Sequence, residues 1–286
     1  MEKFFVLEVA LHKNKPPKKP KGKWARHLAA MAFMLVFCMF SSILAGAITS
    51  PKAAESSPLA SNAASAPLVM NGDIIIALDA GHGGNDKGAI GAVDEVYLTQ
   101  TTVQFLEEML AQDPNYTPLL CRPYEPGYIR ISPEERAATA NAGNADLLIS
   151  VHANVDASES TRGFECYPQP PGRSYFEQSL RFARLAAEQM QKAGSVIRGT
   201  DGVRYLYYTN DDAGMKMMES DHTTVYNLPS LAIVENAACP SVLIEQCFIS
   251  NPQDVRQFAS EEGCRAAAQS YYKAICAYFE TQPILA

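Results

Sequence analysis

The chain has 286 residues, of which 47% are apolar, and its formal net charge is −7. A chain of this size can bury one large hydrophobic core, so it does not need disulfides or a structural metal for stability. The acidic balance argues against a nucleic-acid-binding protein, because such proteins need a basic surface that faces the phosphates.

The N-terminal part of the chain differs from the rest in charge and hydropathy. Residues 1–26 hold eight basic and two acidic side chains, and residues 27–48 contain no Asp, Glu, Lys or Arg. This uncharged run predicts a transmembrane anchor or a signal peptide, and the basic segment before it is expected to stay in the cytoplasm. The remainder is then extracytoplasmic, either membrane-anchored or secreted. Residues 49–72, rich in Ala, Ser and Pro, predict a flexible linker, and residues 73–280 the folded domain.

Apolar runs alternate with helical patterns along the folded domain, whereas residues 195–229 show no clear pattern. The clearest local signal is a capping box, Ser132-Pro133-Glu134-Glu135, which marks the start of a helix. Strands are predicted at 73–78, 116–121, 146–151, 163–167, 231–234 and 241–244, and helices at 95–112, 133–143, 175–193, 251 onward and 261–280. This alternation predicts a single α/β domain with a mostly parallel sheet.

Two histidines follow predicted strands, in the stretches 78–86 (LDAGHGGND) and 149–154 (ISVHAN). Open α/β sheets bind ligands at the carboxyl ends of their strands, so His82 and His152 are expected at one edge of the sheet. A hydrolytic zinc site uses three protein ligands, commonly imidazole and carboxylate, and leaves one position for water. Glu95, at the start of the first predicted helix, is the candidate third ligand.

Glu245 directly follows the strand predicted at 241–244 and is the candidate general base, because its side chain is expected to emerge at the same edge. Each of these residues also has an ordinary structural explanation. A single histidine after a strand is usually packed or solvated, and a strand-end glutamate often belongs to an ion pair. A glycine-rich loop after a first strand also suggests phosphate binding, but this loop lacks the G-x-G-x-x-G spacing.

Four spaced motifs occur in order: D-x-G-H-G-G-x-D-x-G at 79–88, then Glu95, S-x-H-x-N at 150–154 and L-I-E-x-x-F-I-S-N at 243–251. Together they resemble the zinc-dependent N-acetylmuramoyl-L-alanine amidases of bacterial cell walls. The resemblance implies that His82, Glu95 and His152 bind one zinc ion and that Glu245 is the catalytic carboxylate. It also implies cleavage of the amide between N-acetylmuramic acid and L-alanine in peptidoglycan, and a twisted sheet of about six strands flanked by helices.

Four residues are weaker candidates for contacts with the substrate or with the metal ligands: Asn154, Arg136, Asp86 and His222. His222 lies in the stretch 199–228, which is longer than in a minimal family member. This stretch is either a lid or autoinhibitory segment or an ordinary variable loop. Cys247 stands where the family usually has glycine, which either narrows the cleft or is only a change in packing. For the six cysteines of the domain, buried free thiols are favoured over disulfides.

Two other functions remain open from the sequence. One is a non-catalytic peptidoglycan-binding protein on the same fold, which the presence of all four key residues disfavours. The other is a zinc peptidase that acts on stem peptides. An amidase could serve cell separation, wall turnover or spore-cortex maturation, and a protein activator is left open.

Overall fold

The computed structural model describes residues 74–124, 130–210 and 214–285. The predicted basic segment, membrane segment and linker (1–72) lie outside the described residues. Among the helices that are described, none is long and apolar enough to cross a membrane.

Seven strands are present in the described residues. They are β1 (Ile74–Ala80), β2 (Tyr116–Leu120), β3 (Leu147–Asn154), β4 (Glu165–Pro168), β5 (Arg204–Tyr208), β6 (Met215–Glu219) and β7 (Ser241–Phe248). Five of them form the central sheet in the order β2-β1-β3-β7-β4, and β5 and β6 form a separate two-stranded antiparallel sheet. Within the central sheet only β4 is antiparallel to its neighbour. The α/β class is therefore confirmed, with a mixed sheet of five strands rather than about six.

The helices agree with the predicted pattern at most positions. They are α1 (Glu95–Gln112), α2 (Pro133–Ala142), α3 (Phe176–Lys192), α4 (Ala232–Glu235), α5 (Pro252–Asp254) and α6 (Glu261–Phe279), with a π-helical turn at Val255–Ala259. The capping box is formed, since Ser132 Oγ accepts from the Glu135 amide and the Glu135 carboxylate accepts from the Ser132 amide.

One strand prediction is wrong. The stretch 231–234 is not a strand, because Ala232–Glu235 forms the short helix α4. A four-residue apolar run does not distinguish a strand from a buried helical turn. In the central sheet β7 already pairs with β3 on one side and β4 on the other, so this stretch packs on the sheet face instead.

The sheet carries a core on each face, as strand periodicity requires. Ile76 and Leu78 of β1 face the larger core, which contains apolar residues of α1, α3 and α6, whereas Ala77 faces a smaller core with α4. The six cysteines of the described domain are buried free thiols. Cys247 is fully buried in the larger core, and burial raises the pKa of its thiol well above the usual range. These observations favour the packing explanation for Cys247.

The stretch predicted as irregular, 195–229, contains the β5–β6 pair. Strand β5 buries Tyr205, Leu206 and Tyr207 in succession. A strand that is covered on both faces shows no polar–apolar alternation, so β5 has no period-2 pattern by which it could be predicted.

Candidate metal centre

Two histidines and a glutamate that the sequence places far apart meet at the carboxyl end of the sheet. His82, Glu95 and His152 each offer a ligand atom, and these atoms all lie within 4.8 Å of one another. The Oε1 atom of Glu95 lies 3.0 Å from Nε2 of His82 and 3.1 Å from Nδ1 of His152. The predicted group of three is thus present, although His152 lies inside β3, which is longer than predicted, and not beyond it.

Glu95 is fixed by the backbone on both of its carboxylate oxygens. Oε2 accepts from the Ala89 amide at 2.8 Å, and Oε1 accepts from the Ala153 amide at 3.0 Å. Burial disfavours the charged carboxylate, but hydrogen bonds with His152 and His82 outweigh it and lower the pKa of Glu95. The carboxylate is therefore a buried, oriented anion that faces two imidazoles.

His82 is oriented by the loop that carries it. Its backbone is left-handed (φ 62°), and its Nδ1 lies 3.2 Å from Asp86 Oδ1, which leaves Nε2 towards Glu95. Asp86 is itself held by the Gly88 amide and by Arg130 Nε at 2.9 Å. Burial lowers the pKa of His82, but the hydrogen bonds to Asp86 and Glu95 more than compensate and raise it to about 9. Asp86 therefore sets which imidazole nitrogen is presented, as carboxylate partners of metal-binding histidines do.

Two glycines allow this close approach. A Cβ at Gly81 would lie 2.5 Å from the His152 ring, and a Cβ at Gly88 would lie 2.6 Å from both Glu95 Oε2 and the His82 ring. Gly88 also has a left-handed backbone (φ 68°). The sequence showed a glycine-rich loop but not which glycines contact the site.

A buried ion pair supports the loop from beneath. Arg136 Nη1 donates to Asp79 Oδ1 at 2.8 Å and to the Ala80 carbonyl at 2.7 Å, and its Nη2 donates to the His82 carbonyl at 2.5 Å. Ser150 Oγ donates to the second oxygen of Asp79 at 2.6 Å. Arg136 thus supports the candidate site through its contact with the backbone of His82.

Glu245 lies beside His152 in the β3–β7 register, within β7 rather than after a shorter strand. The register shifts directly afterwards, because Asn154 pairs with Phe248, so β7 carries an extra residue at this point. Glu245 lines a cavity of about 50 Å³ together with the three ligand candidates, Asn154 and Leu231. The structure therefore brings the candidate base and the candidate ligands to one cavity.

His222 is not brought to this cavity. Its side chain is half-exposed and lies 3.1 Å from Asp221 in the loop after β6, and it does not line the cavity described above.

The sequence also missed Glu165, a buried carboxylate of β4 that pairs in register with Glu245. Nothing in the sequence marked it, because it is a single charge in an apolar strand.

The donor set suits zinc. Two imidazole nitrogens and one carboxylate oxygen are common ligands of hydrolytic zinc. Zinc–ligand distances of about 2.0–2.1 Å in a tetrahedral site place ligand atoms about 3.3 Å apart. The two Glu95–His separations of 3.0 and 3.1 Å are close to this value, and all three ligand atoms lie within 4.8 Å of one another.

The described residues form an α/β domain with a candidate His–Glu–His metal site at the end of a mixed sheet. The family model for N-acetylmuramoyl-L-alanine amidase matches residues 76–277, and the chain belongs to this family.

Individual relatives of the chain are also named as N-acetylmuramoyl-L-alanine amidases. The N-acetylmuramoyl-L-alanine amidase AmiC of Escherichia coli O6:H1 is 28% identical over 239 residues, which are 74% of this chain and 54% of AmiC. This chain thus spans about half the length of such curated relatives.

Two solved structures share the fold. The catalytic domain of CwlV, an amidase from Bacillus (Paenibacillus) polymyxa, has a TM-score of 0.56 at 24% identity, with 73% of this chain and 99% of that chain covered. The CwlD amidase of Clostridioides difficile, in complex with the GerS lipoprotein, has a TM-score of 0.52 at 19% identity and the same coverage.

Replacing Arg136 by Met is expected to destabilise the fold strongly. Asp79 then stays buried without its cation, and breaking a buried pair in this way costs about 3–5 kcal/mol. The control is Arg130→Met, which removes a partly exposed pair with Asp86 and is expected to cost about 0–1 kcal/mol. Urea unfolding of both variants measures the difference, and equal losses would contradict the assigned role of Arg136.

Gly81→Ala is expected to weaken zinc binding about tenfold or more, because the new methyl group displaces the His152 ring and misplaced ligands commonly cost 10–100-fold in affinity. Gly214→Ala is the control, since Gly214 has open space around its Cβ position and an added methyl group there meets no neighbour. Zinc affinity by competition with a chelating dye should fall only in the first variant. A similar fall in both would mean that the contact with His152 is not responsible.

Zinc binding at neutral pH is expected to release a proton from His82, because a pKa of about 9 keeps the imidazole charged in the metal-free chain and a ligand must be neutral. Zinc affinity should therefore rise with pH up to about 9. The charged imidazole stabilises the metal-free fold below its unfolded-state pKa of 6.5, and this stability is lost as the pH rises through about 9. Calorimetry in buffers of different ionisation enthalpy counts the protons, and a zero count would rule out a charged His82.

Proposed function

We propose that this chain is a zinc-dependent peptidoglycan hydrolase that cleaves the amide between N-acetylmuramic acid and L-alanine. The observation that carries the proposal is the meeting of His82, Glu95 and His152 beside Glu245 in a chain of the amidase family.

His82 Nε2, Glu95 Oε1 and His152 Nδ1 are the proposed ligand atoms. Zinc held there would polarise the scissile carbonyl and lower the pKa of a water molecule to about 7. Asp86 keeps Nε2 of His82 directed at the ligand group, and Arg136 holds the loop backbone. Glu245 is the proposed general base: its carboxylate accepts a proton from the attacking water and donates it to the departing L-alanine nitrogen.

The setting of the enzyme is also part of the proposal. The uncharged run at 27–48 supports a position outside the cytoplasm, as a membrane-anchored or secreted protein, where peptidoglycan is accessible. Cell separation, wall turnover and spore-cortex maturation all fit such an activity. CwlD forms a complex with a lipoprotein, which supports including a protein partner of unknown identity for this chain.

The test is digestion of purified peptidoglycan by the full chain with zinc and with a chelator, followed by mass spectrometry. Free stem peptides that begin with L-alanine are expected with zinc only. Cleavage within the peptide would favour a stem-peptide peptidase instead. Binding without any product would favour a non-catalytic wall-binding protein.

Two variants separate the assigned roles. Glu245→Gln should keep one zinc per chain while turnover falls about 100-fold or more, as removal of a general base does. His82→Ala should lose the zinc itself, measured by metal analysis after gel filtration. Full activity of Glu245→Gln, or normal zinc content in His82→Ala, would refute the corresponding role.

A further inference from the structure

A buried carboxylate outside the metal group lies next to the candidate catalytic residue. Glu165 of β4 is 2% exposed and pairs in register with Glu245 of β7. It does not line the metal cavity. Its position is therefore beside the reaction site but behind the cavity wall.

Four side chains donate hydrogen bonds to Glu165 and divide its two oxygens between them. Oε1 accepts from Arg198 Nε at 2.7 Å and from Asn154 Nδ2 at 3.2 Å. Oε2 accepts from Arg204 Nη1 at 2.7 Å and from the Tyr167 hydroxyl at 3.1 Å. A buried charge is tolerated when it is paired and hydrogen-bonded in this way. Because Glu165 is enclosed by these partners, hydrogen bonding from Glu165 to a bound substrate must pass through one of them.

Asn154 is the partner that reaches the cavity, since it is one of the lining residues. A carboxylate only accepts hydrogen bonds, so the atom of Asn154 that faces Glu165 must be the NH₂ group. The Asn154 carbonyl oxygen then takes the opposite side, where it accepts from the Val155 amide at 3.2 Å. Glu165 therefore fixes which end of the Asn154 amide is donor and which is acceptor.

Arg198 and Arg204 allow the Glu165 carboxylate to lie next to Glu245. Two neighbouring carboxylates on adjacent strands repel each other in a low-dielectric interior. Arg198 and Arg204 supply two positive charges to Glu165, and Arg204 also pairs with the more exposed Glu219. Charge at Glu165 is thereby compensated locally.

We propose that Glu165 is a positioning residue for substrate binding: it orients the Asn154 amide so that its carbonyl oxygen accepts a hydrogen bond from an amide N–H of the bound substrate. This rests on the proposed function, because a muramoyl-peptide is the class of substrate that offers such a group next to the scissile bond. Loss of Glu165 lets the amide rotate, and the acceptor is no longer held in place.

The first test measures the orientation of the Asn154 side-chain amide and does not depend on enzymatic activity. The side-chain amide NMR signal of Asn154, identified by its loss in Asn154→Asp, should lie downfield in the zinc-loaded full chain because it bonds to a carboxylate. It should move upfield in Glu165→Gln and stay in place in Glu219→Gln. Glu219→Gln is the matched control. Glu219 is a carboxylate that, like Glu165, pairs with Arg204, but Glu219 does not contact Asn154. An unmoved signal in Glu165→Gln overturns the proposal.

The second test uses a soluble muramoyl-peptide fragment. Glu165→Gln is expected to raise KM about tenfold, equivalent to about 1.4 kcal/mol, while kcat changes less than about threefold, as loss of ground-state binding does. Asn154→Ala should have the same effect, and the double variant Asn154→Ala/Glu165→Gln should be no worse than Asn154→Ala alone. Glu219→Gln should keep the wild-type KM. Equal KM values in Glu165→Gln and wild type, or multiplicative effects in the double variant, overturn the proposal.

The tests change if Glu165→Gln does not fold or if the wild-type chain does not cleave the fragment. If Glu165→Gln fails to fold, Glu165→Gln/Arg198→Gln removes one charge of each sign and takes its place in both tests. If the wild-type chain binds the fragment without cleaving it, the proposed amidase function fails, and the same comparison is made with Kd from calorimetry. A wild-type chain that neither cleaves nor binds the fragment overturns both proposals.

Discussion

The buried ion pair between Asp79 and Arg136 joins the parts of the molecule that position the candidate metal site. Removing two charges from water is expensive, and such a pair is stable only when further hydrogen bonds satisfy the remaining donors and acceptors. Here Ser150 of the neighbouring strand satisfies Asp79, while Arg136 uses its remaining donors on backbone carbonyls, including that of His82. The guanidinium of Arg136 therefore connects β1, α2 and the loop after β1. This contact holds the left-handed backbone of His82, which orients the His82 imidazole.

Three buried carboxylates gather at the same edge of the sheet, and their surroundings separate their roles. Glu95 faces two imidazoles, and its pKa is lowered by hydrogen bonds with them. Glu165 faces two arginines and is enclosed by its partners. Glu245 lines the cavity next to His152. Residues of identical type thus serve as candidate ligand, support and base, because the neighbouring side chains differ.

Much of the fold and of the metal group could be predicted from local sequence. The capping box at Ser132, the helix at 95–112 and the histidines after apolar runs each carry their own short-range signal. The failures share a cause, which is that tertiary contacts decide the outcome. The run 231–234 is too short to choose between strand and helix, and the fully covered strand β5 has no alternation. Glu165 becomes notable only when the sheet brings it beside Glu245.

The contacts of Glu165 also concern the stretch 199–228, for which the sequence predicts either a lid or autoinhibitory segment or an ordinary variable loop. Arg204 of β5 is paired with the buried Glu165 and also with Glu219 of β6. Swinging β5 away from the sheet would remove one of the two arginines that compensate the buried Glu165 and would leave it paired with Arg198 alone. The ion pair between Arg204 and Glu165 therefore argues against a lid that opens in every turnover. We therefore interpret β5 as fixed to the central sheet, with Arg204 as the link between this stretch and Glu165.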